Sequence, residues 1–254
     1  LRGRPIKARP DTPLYRIGKF VRRHPFGVAF GTAAVVLILG TAAWLRIERD
    51  RAWRAESKAR EEAAAAAAVT DFLVDLFREA EPGAGKSRTL TPVDLIDRAR
   101  GNLAGRDDVA KPTRARINGV LGQIYSYLGE PERATETLRN AIEEADDSRL
   151  DPITRIELRS ALASVLDDRA NYTGAETRHR ETLAIAEAAG LQAEAIKARA
   201  RIGFELAKQR RHDDAEALLR RALAESTALH GADHPDTARI RVMLAEDLMF
   251  GDAT

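Results

Sequence analysis

The feature that most constrains the fold of this 254-residue chain is an internal repeat in its C-terminal part. An alanine recurs at Ala134, Ala175 and Ala215, 41 and 40 residues apart, each time among apolar residues spaced by three and four positions. That spacing is the period of an amphipathic helix, and a repeat of this length holds two helices joined by a turn. One such hairpin cannot cover its own apolar face, so successive hairpins must stack. The sequence therefore predicts an all-α solenoid over residues 114–254.

The repeated residues resemble the tetratricopeptide (TPR) pattern, which places small residues where paired helices cross closely. In the first unit the matching positions are Leu121, Gly122, Tyr125, Gly129, Ala134, Leu138, Ala141 and Ile142. Two longer-than-usual units follow, and a fourth begins at Leu244 and is cut at Thr254. The second unit departs from the pattern, because His179 and Thr182 stand where an apolar residue and an alanine are expected.

A second constraint is the uncharged stretch 25–45, PFGVAFGTAAVVLILGTAAWL, which basic residues flank on both sides. As a helix it would be roughly 31 Å long, close to the thickness of the hydrocarbon core of a bilayer. We therefore expect a single transmembrane helix, in preference to a buried core helix or a cleaved signal peptide. Gly27 and Gly31 form a GxxxG pair, which predicts a helix-dimer face and a homodimer. Membrane lipid is then an expected partner.

The remaining segments are assigned from their composition. Residues 1–24 are basic and contain three prolines, which predicts a juxtamembrane segment. Residues 46–80 lack proline and glycine and include an unbroken alanine run, so we expect one long Ala/Arg/Glu-rich helix. Residues 81–113 are expected to form a loop and a capping helix that begins at Thr91. Basic residues are equally frequent on both sides of the apolar stretch, so charge leaves its orientation open.

The composition argues against several classes of function. The net charge is only +2, so nucleic acid is not an expected partner. The chain has no cysteine and therefore no disulfide or thiolate metal site. The stretch AEPGAGKS at 80–87 fits a relaxed phosphate-loop pattern, but a helix precedes it where a strand is needed, and we interpret it as an interhelical loop. The sequence shows no catalytic, cofactor-binding or metal-ligating set of residues.

In a TPR array, fixed positions on the first helix of each unit line a concave groove. The resemblance implies that this chain has a groove of mixed charge with two aromatic side chains, suited to a protein or peptide ligand. The lysine and asparagine with which some TPR domains clamp a terminal carboxylate are missing, because Gly119 and Gln123 stand in the first positions of that clamp. The alternative is that these positions are merely exposed. The candidate groove residues are Arg116, Gln123, Tyr127, Glu157, Lys197, Phe204 and Lys208.

The order of the segments resembles the C-terminal half of bacterial transmembrane serine/threonine protein kinases. The phrases that carry this resemblance are GRPIKARPDT at 3–12 and DFLVDLFREAEPG at 71–83. It implies a cytoplasmic kinase domain upstream of Leu1, with its ATP and magnesium, and TPR units on the outer side of the inner membrane. The chain itself lacks the Gly-rich loop, HRD and DFG motifs of a kinase. We therefore expect a piece of a longer protein, its membrane anchor and sensor region, with no catalytic residue or cofactor of its own.

Two other functions fit the same order of segments. One is the TPR sensor of a membrane-bound transcription regulator, with a DNA-binding domain upstream. The other is a membrane-tethered TPR scaffold without an output domain. The sequence upstream of Leu1 would distinguish the three.

Overall fold

The computed structural model describes residues 91–106 and 109–251, and earlier positions only in part. Those earlier positions are 23, 37, 39–41, 44–46, 48–49, 53, 56, 60, 63–64, 66–72 and 74. The chain divides into two units, residues 1–63 and residues 64–254. The helices described below belong to the second unit.

Eight helices follow one another along the described residues from 91 onward, and no element of another kind separates them there. After α1 they pair as the hairpins α2–α3, α4–α5 and α6–α7, and α8 packs against α7. This order matches the helix hairpins that the sequence repeat predicts. Their bounds are α1 (Pro92–Ala104), α2 (Lys111–Tyr127), α3 (Pro131–Asp147), α4 (Pro152–Asp168), α5 (Tyr172–Ala188), α6 (Gln192–Lys208), α7 (His212–His230) and α8 (Pro235–Gly251).

Local signals in the sequence fix several helix starts. The hydroxyl of Thr91 accepts a hydrogen bond from the amide of Asp94 at 3.1 Å, and the Asp94 carboxylate accepts one from the amide of Thr91 at 3.0 Å. These two bonds form a capping box, and Pro92 follows at the first helical position, as predicted. Asp151 and Asn171 cap α4 and α5 with their side chains. These side-chain caps fix the residues at which α4 and α5 begin.

Two glycines allow the paired helices to approach closely. A Cβ atom on Gly122 would lie 2.6 Å from Cγ of Leu138, and one on Gly203 would lie 2.8 Å from Cγ of Leu219. Both distances are far below a normal contact, so any side chain at these positions would push α2 from α3 or α6 from α7. The small residues of the repeat pattern therefore stand where the helices cross.

The apolar core of the described residues runs without interruption from α1 into α5. Its largest fully buried side chains include Leu103, Tyr125 and Leu138. Val69 and Phe72, which lie on a helical stretch at 66–72, pack against this core and cover its N-terminal side. The predicted boundaries at residues 46 and 80 lie beside or among residues outside the described set, and the boundary at 113 falls in the first turn of α2. All three stay predictions.

The predicted transmembrane helix over 25–45, and the single-pass inner-membrane localisation that followed from it, require correction. Among the helices that the structure describes, none combines the length and the apolar composition that crossing a bilayer requires. The physical reason is that α1 to α8 are 13 to 19 residues long and alternate apolar with charged positions, whereas a span needs about 20 consecutive apolar residues. Most of 25–45, including the predicted dimer face at Gly27 and Gly31, lies outside the described residues.

Candidate peptide-binding groove

The first helices of the last repeats, α4, α6 and α8, surround a cavity of about 240 Å³. Helix α4 contributes Ser160, Ser164 and Asp167, and the buried His179 and Thr182 of α5 also line it. We call this cavity the α4–α6–α8 cavity. Because helices of one repeat lie side by side with those of the next, the side chains of three repeats converge on one place.

The structure brings part of the predicted groove to this cavity. Lys197 lines it directly, and Phe204 and Lys208 lie further along the same helix, α6. The ammonium of Lys208 lies 4.3 Å from the centroid of the Phe204 ring and forms an ion pair with Asp167 on α4. The cation is thus fixed between a ring and a carboxylate, which ties α4 to α6 beside the cavity.

The other four predicted groove residues do not line the cavity. The guanidinium of Arg116 forms an ion pair of 2.9 Å with Asp151, the residue that caps α4. Gln123 and Glu157 are exposed, and Tyr127 is 88% exposed at the end of α2. The predicted groove therefore divides into a part that converges on α6 and a part that stays on the open surface.

Three polar residues of the cavity stand at positions that are apolar in the preceding repeat. His179 and Thr182 occupy the places of Leu138 and Ala141 in α3, and of Leu219 and Ala222 in α7. The sequence showed this departure for the histidine and the threonine, but not its consequence. Glu205 was missed, although it occupies the position of Ile124 in α2 and Val165 in α4. A comparison of equivalent repeat positions would have found it.

Burial shifts the protonation of two of these groups. It lowers the pKa of His179 to about 4, with a further contribution from the nearby charge of Arg201. It raises the pKa of Glu205 to about 7, and the carboxylates of Asp167 and Glu176 add to that shift while Lys208 and Arg201 oppose it. At neutral pH His179 is therefore uncharged, and Glu205 titrates near neutrality.

The outer side of the cavity carries charges of both signs. The ammonium of Lys197 lies 3.1 Å from the carboxylate of Glu194 and 3.7 Å from that of Asp236 on α8. Arg201 and Arg239 line the cavity and are exposed. The cations thus lie toward solvent, whereas Glu205 lies at the buried side.

Two buried arginines hold the helices that form the cavity. The guanidinium of Arg159 on α4 donates to Asp146 on α3 at 2.5 Å and to Glu181 on α5 at 3.2 Å. Forty residues later, Arg199 on α6 pairs with Glu187 on α5 and with Glu225 on α7. Each arginine thus connects the second helix of one repeat to the second helix of the next.

A wider depression of about 700 Å³ lies among α1, α2 and α3. Several of the polar groups at this depression pair within the protein: the Tyr125 hydroxyl donates to Asp97 at 2.7 Å, and the Asn118 amide donates to Glu144 at 3.2 Å. In the described part of the chain, no group of three His, Asp or Glu side chains is arranged to hold a metal ion. The α4–α6–α8 cavity is therefore the stronger candidate site.

Comparisons with known proteins agree with this architecture. Two tetratricopeptide repeat models match residues 156–189 and 194–253. No curated protein matches the chain. The chain is similar in structure to the TPR-like repeats of a kinesin light chain from Podospora anserina, with 18% identity and a TM-score of 0.52 over 62% of this chain and 76% of that one.

Two further solved structures give the same result. BtubC (BKLC) from P. vanneervenii matches with 19% identity and a TM-score of 0.52, over 63% of this chain and 68% of that one. The apo form of RapI matches with 14% identity and a TM-score of 0.56, over 63% of this chain, which spans only 44% of RapI. The described region is thus a TPR-like α-solenoid that carries tetratricopeptide repeats. It is a scaffold of the protein-interaction type.

Proposed function

We propose that this solenoid binds a peptide segment of a partner protein along α6, with one side chain of that segment in the α4–α6–α8 cavity. The observation that carries the proposal is the convergence of polar side chains from two repeats, His179, Thr182 and Glu205, at positions where the preceding repeat buries apolar ones. Buried polar groups destabilise a fold unless something satisfies them, so their presence at one place favours a binding role.

The size of the cavity supports a peptide over a bulky small molecule. Sites for drug-sized ligands have volumes of about 300–1,000 Å³, larger than the 240 Å³ found here. A cavity of this size accommodates one side chain. The rest of an extended peptide would lie over Phe204 and Lys208, which continue the same face of α6.

The test is selection of peptides from a randomised displayed library by the full 254-residue chain. We expect enrichment of a sequence family, and loss of its binding in the variant Ser164→Trp, which fills the cavity. The matched control is Gln123→Trp, since Gln123 occupies the equivalent position on α2 and is exposed away from the cavity. Binding that survives Ser164→Trp, or is lost equally in both variants, would contradict the proposed site.

A finer assignment is that the chain is the interaction region of a serine/threonine protein kinase, with ATP and magnesium bound in an upstream domain. Only the sequence phrases at 3–12 and 71–83 support it. Neither phrase lies in the residues matched by the repeat models. Sequencing the gene upstream of Leu1 tests it. An in-frame HRD and DFG pair would support the kinase, and a helix-turn-helix domain would support the transcription regulator instead.

A further inference from the structure

We propose that the buried side of the α4–α6–α8 cavity is an anchor site for one basic side chain, a lysine ammonium or an arginine guanidinium, which pairs with the carboxylate of Glu205. This inference rests on the proposed function and deepens it, because it names the chemistry that the peptide must present. It does not require that the partner protein be known.

The first observation is the state of Glu205 itself. The residue is 1% exposed, it lines the cavity, and its Oε2 atom has no hydrogen-bond partner among the residues that the structure describes. A buried carboxyl without a partner is rare, since each such group costs on the order of 1–3 kcal/mol or more. A ligand that donates to this oxygen would remove that cost.

The second observation is that, among the residues the structure describes, none of the neighbouring cations forms an ion pair with Glu205. Lys208, the closest ammonium on the same helix, pairs with Asp167 and lies over the ring of Phe204. Arg211 and Arg180 both pair with Glu176, the other carboxylate near Glu205. Those ion pairs would have to break before any of these groups could reach Glu205. Arg201, one helical turn before Glu205, also lines the cavity, but its side chain is exposed and forms no ion pair with Glu205 among the described residues. A cation from outside the chain would therefore compete at Glu205 with Arg201 alone.

The third observation is the chemistry of the surrounding wall. Ser160, Ser164 and Thr182 offer hydroxyl oxygens that can accept further hydrogen bonds from a multivalent donor such as an ammonium or a guanidinium. An anionic ligand would instead meet the carboxylates of Asp167 and Glu205 on the buried side. The exposed Arg201 and Arg239 lie on the outer side, where they suit an acidic residue adjacent to the basic one.

The repeat supports the same conclusion. The positions equivalent to Glu205 are Ile124, Val165 and Asp247. Asp247 and Glu176 are buried carboxylates as well, but Asp247 pairs with His212 and Glu176 pairs with Arg180, whereas Glu205 lines the cavity without an ion pair among the described residues. Because burial favours the protonated form of Glu205, a bound cation would shift the group to its charged form and release a proton. Affinity for a basic side chain is therefore expected to increase as the pH rises through neutrality.

The experiment uses the full chain with ¹³C-labelled methionine methyl groups. The sequence holds only two methionines: Met243 lines the cavity and is 8% exposed, whereas Met249 is 74% exposed on the same helix. The probes are the acetylated amides of arginine, lysine and norleucine, added in NMR titrations. We expect arginine or lysine to shift the Met243 signal saturably, Met249 to stay unchanged, and norleucine to bind about tenfold more weakly or not at all.

The variant Glu205→Gln should reduce the affinity for the basic probe by about tenfold or more, because the neutral amide cannot pair with a cation. The matched control is Glu216→Gln, an exposed carboxylate that pairs with Arg220 on the surface of α7, and it should bind as the wild type does. Circular dichroism shows whether each variant is folded. Equal binding of norleucine, an unmoved Met243 signal, or unchanged affinity in Glu205→Gln would each overturn the anchor site.

These outcomes are separable from those of the peptide selection. The selected peptides could lack a shared basic residue while Met243 fails to respond to the basic probes. That result would support the peptide groove and contradict the anchor site. A saturable, Glu205-dependent response to the basic probe in a protein that enriches no peptide would establish the anchor and remove the proposed peptide function.

Discussion

Helices α3 and α5 occupy equivalent places in successive repeats, but they bury side chains of opposite character. Helix α3 packs Leu138 and Ala141, both fully buried, into the core. Helix α5 presents His179 and Thr182 at the same two positions, and these line a cavity. The next second helix, α7, returns to leucine and alanine. One repeat has thus lost the apolar contacts that hold its neighbours together.

The difference shows how a solenoid can place polar groups in its interior without losing the fold. Both buried arginines form ion pairs with helix α5: Arg159 pairs with Glu181, and Arg199 pairs with Glu187. The ion pairs act on both sides of the helix whose apolar packing is weakest. Since each repeat contacts only its neighbours, this exchange of apolar for ionic contacts stays local.

The largest expected effect on stability comes from truncating Leu138, the apolar counterpart of His179. Leu138→Ala should lower the free energy of unfolding by about 2–5 kcal/mol, because the leucine is fully buried and fills the space beside Gly122. His179→Ala, at the equivalent position, should cost about 1 kcal/mol or less, because it enlarges a cavity that already exists. Urea unfolding followed by circular dichroism measures both. Equal losses would show that the two helices are packed alike.

The next effect tests whether ions replace apolar packing at α5. Arg159→Met should lower the free energy of unfolding by about 1–3 kcal/mol, since it removes the buried cation shared by Asp146 and Glu181 and leaves these carboxylates only their pairs with Arg155 and Arg178. The value is below that for a fully buried pair because both carboxylates remain partly hydrated.

The control for Arg159→Met is Arg220→Met, which breaks only an exposed pair with Glu216 on one helix. Its expected cost is about 0–0.5 kcal/mol. If the two variants lost the same stability, the buried arginine would have no special role in holding α5.

The comparison also shows what the sequence could and could not predict. The spacing of Ala134, Ala175 and Ala215 predicted the helix hairpins, because stacking constrains small residues at every crossing. The departure at His179 was visible, but a cavity depends on the side chains of three repeats at once. Glu205 was missed because the groove positions of a TPR array lie on the open face of each first helix. Glu205 lies on the buried face of α6, which those positions do not include.

The correction at 25–45 has a different origin. That expectation rests on the length and the lack of charge of one stretch, whereas the repeat relates residues of different elements to one another. Patterns that relate distant parts of the chain therefore predicted the fold better here than a local composition did.

An effect of at most about 3 kcal/mol for each group is expected from pH, with opposite signs for the two polar groups. Because the pKa of Glu205 is raised from 4.5 to about 7, the native state keeps a proton that the unfolded chain has lost, and stability falls as the pH rises through that window. Because the pKa of His179 is lowered from 6.5 to about 4, stability falls as the pH drops from 6.5 to 4.

Urea unfolding across this pH range separates the two contributions. In the wild type the two contributions offset each other over the shared range, so its stability should change little there. Glu205→Gln should then lose stability toward acid pH, and His179→Gln should lose it toward neutral pH. Leu138 offers the reference, since a change at that apolar position should shift stability equally at every pH. A pH profile of Glu205→Gln that is parallel to the wild type would contradict the assignment.

The smallest expected effect concerns the turns inside the hairpins. Gly129, Ala170 and Arg210 occupy equivalent turn positions, all with positive φ, at 74°, 57° and 63°. Glycine adopts this conformation without steric cost, whereas alanine and arginine are strained there. Ala170→Gly should therefore raise the free energy of unfolding by about 0.5 kcal/mol, the relief of strain exceeding the added entropy of the unfolded chain. Gly129→Ala is the reverse test and should lower it by about 1 kcal/mol. If Ala170→Gly were destabilising, the turn before α5 would owe its shape to contacts of the alanine side chain.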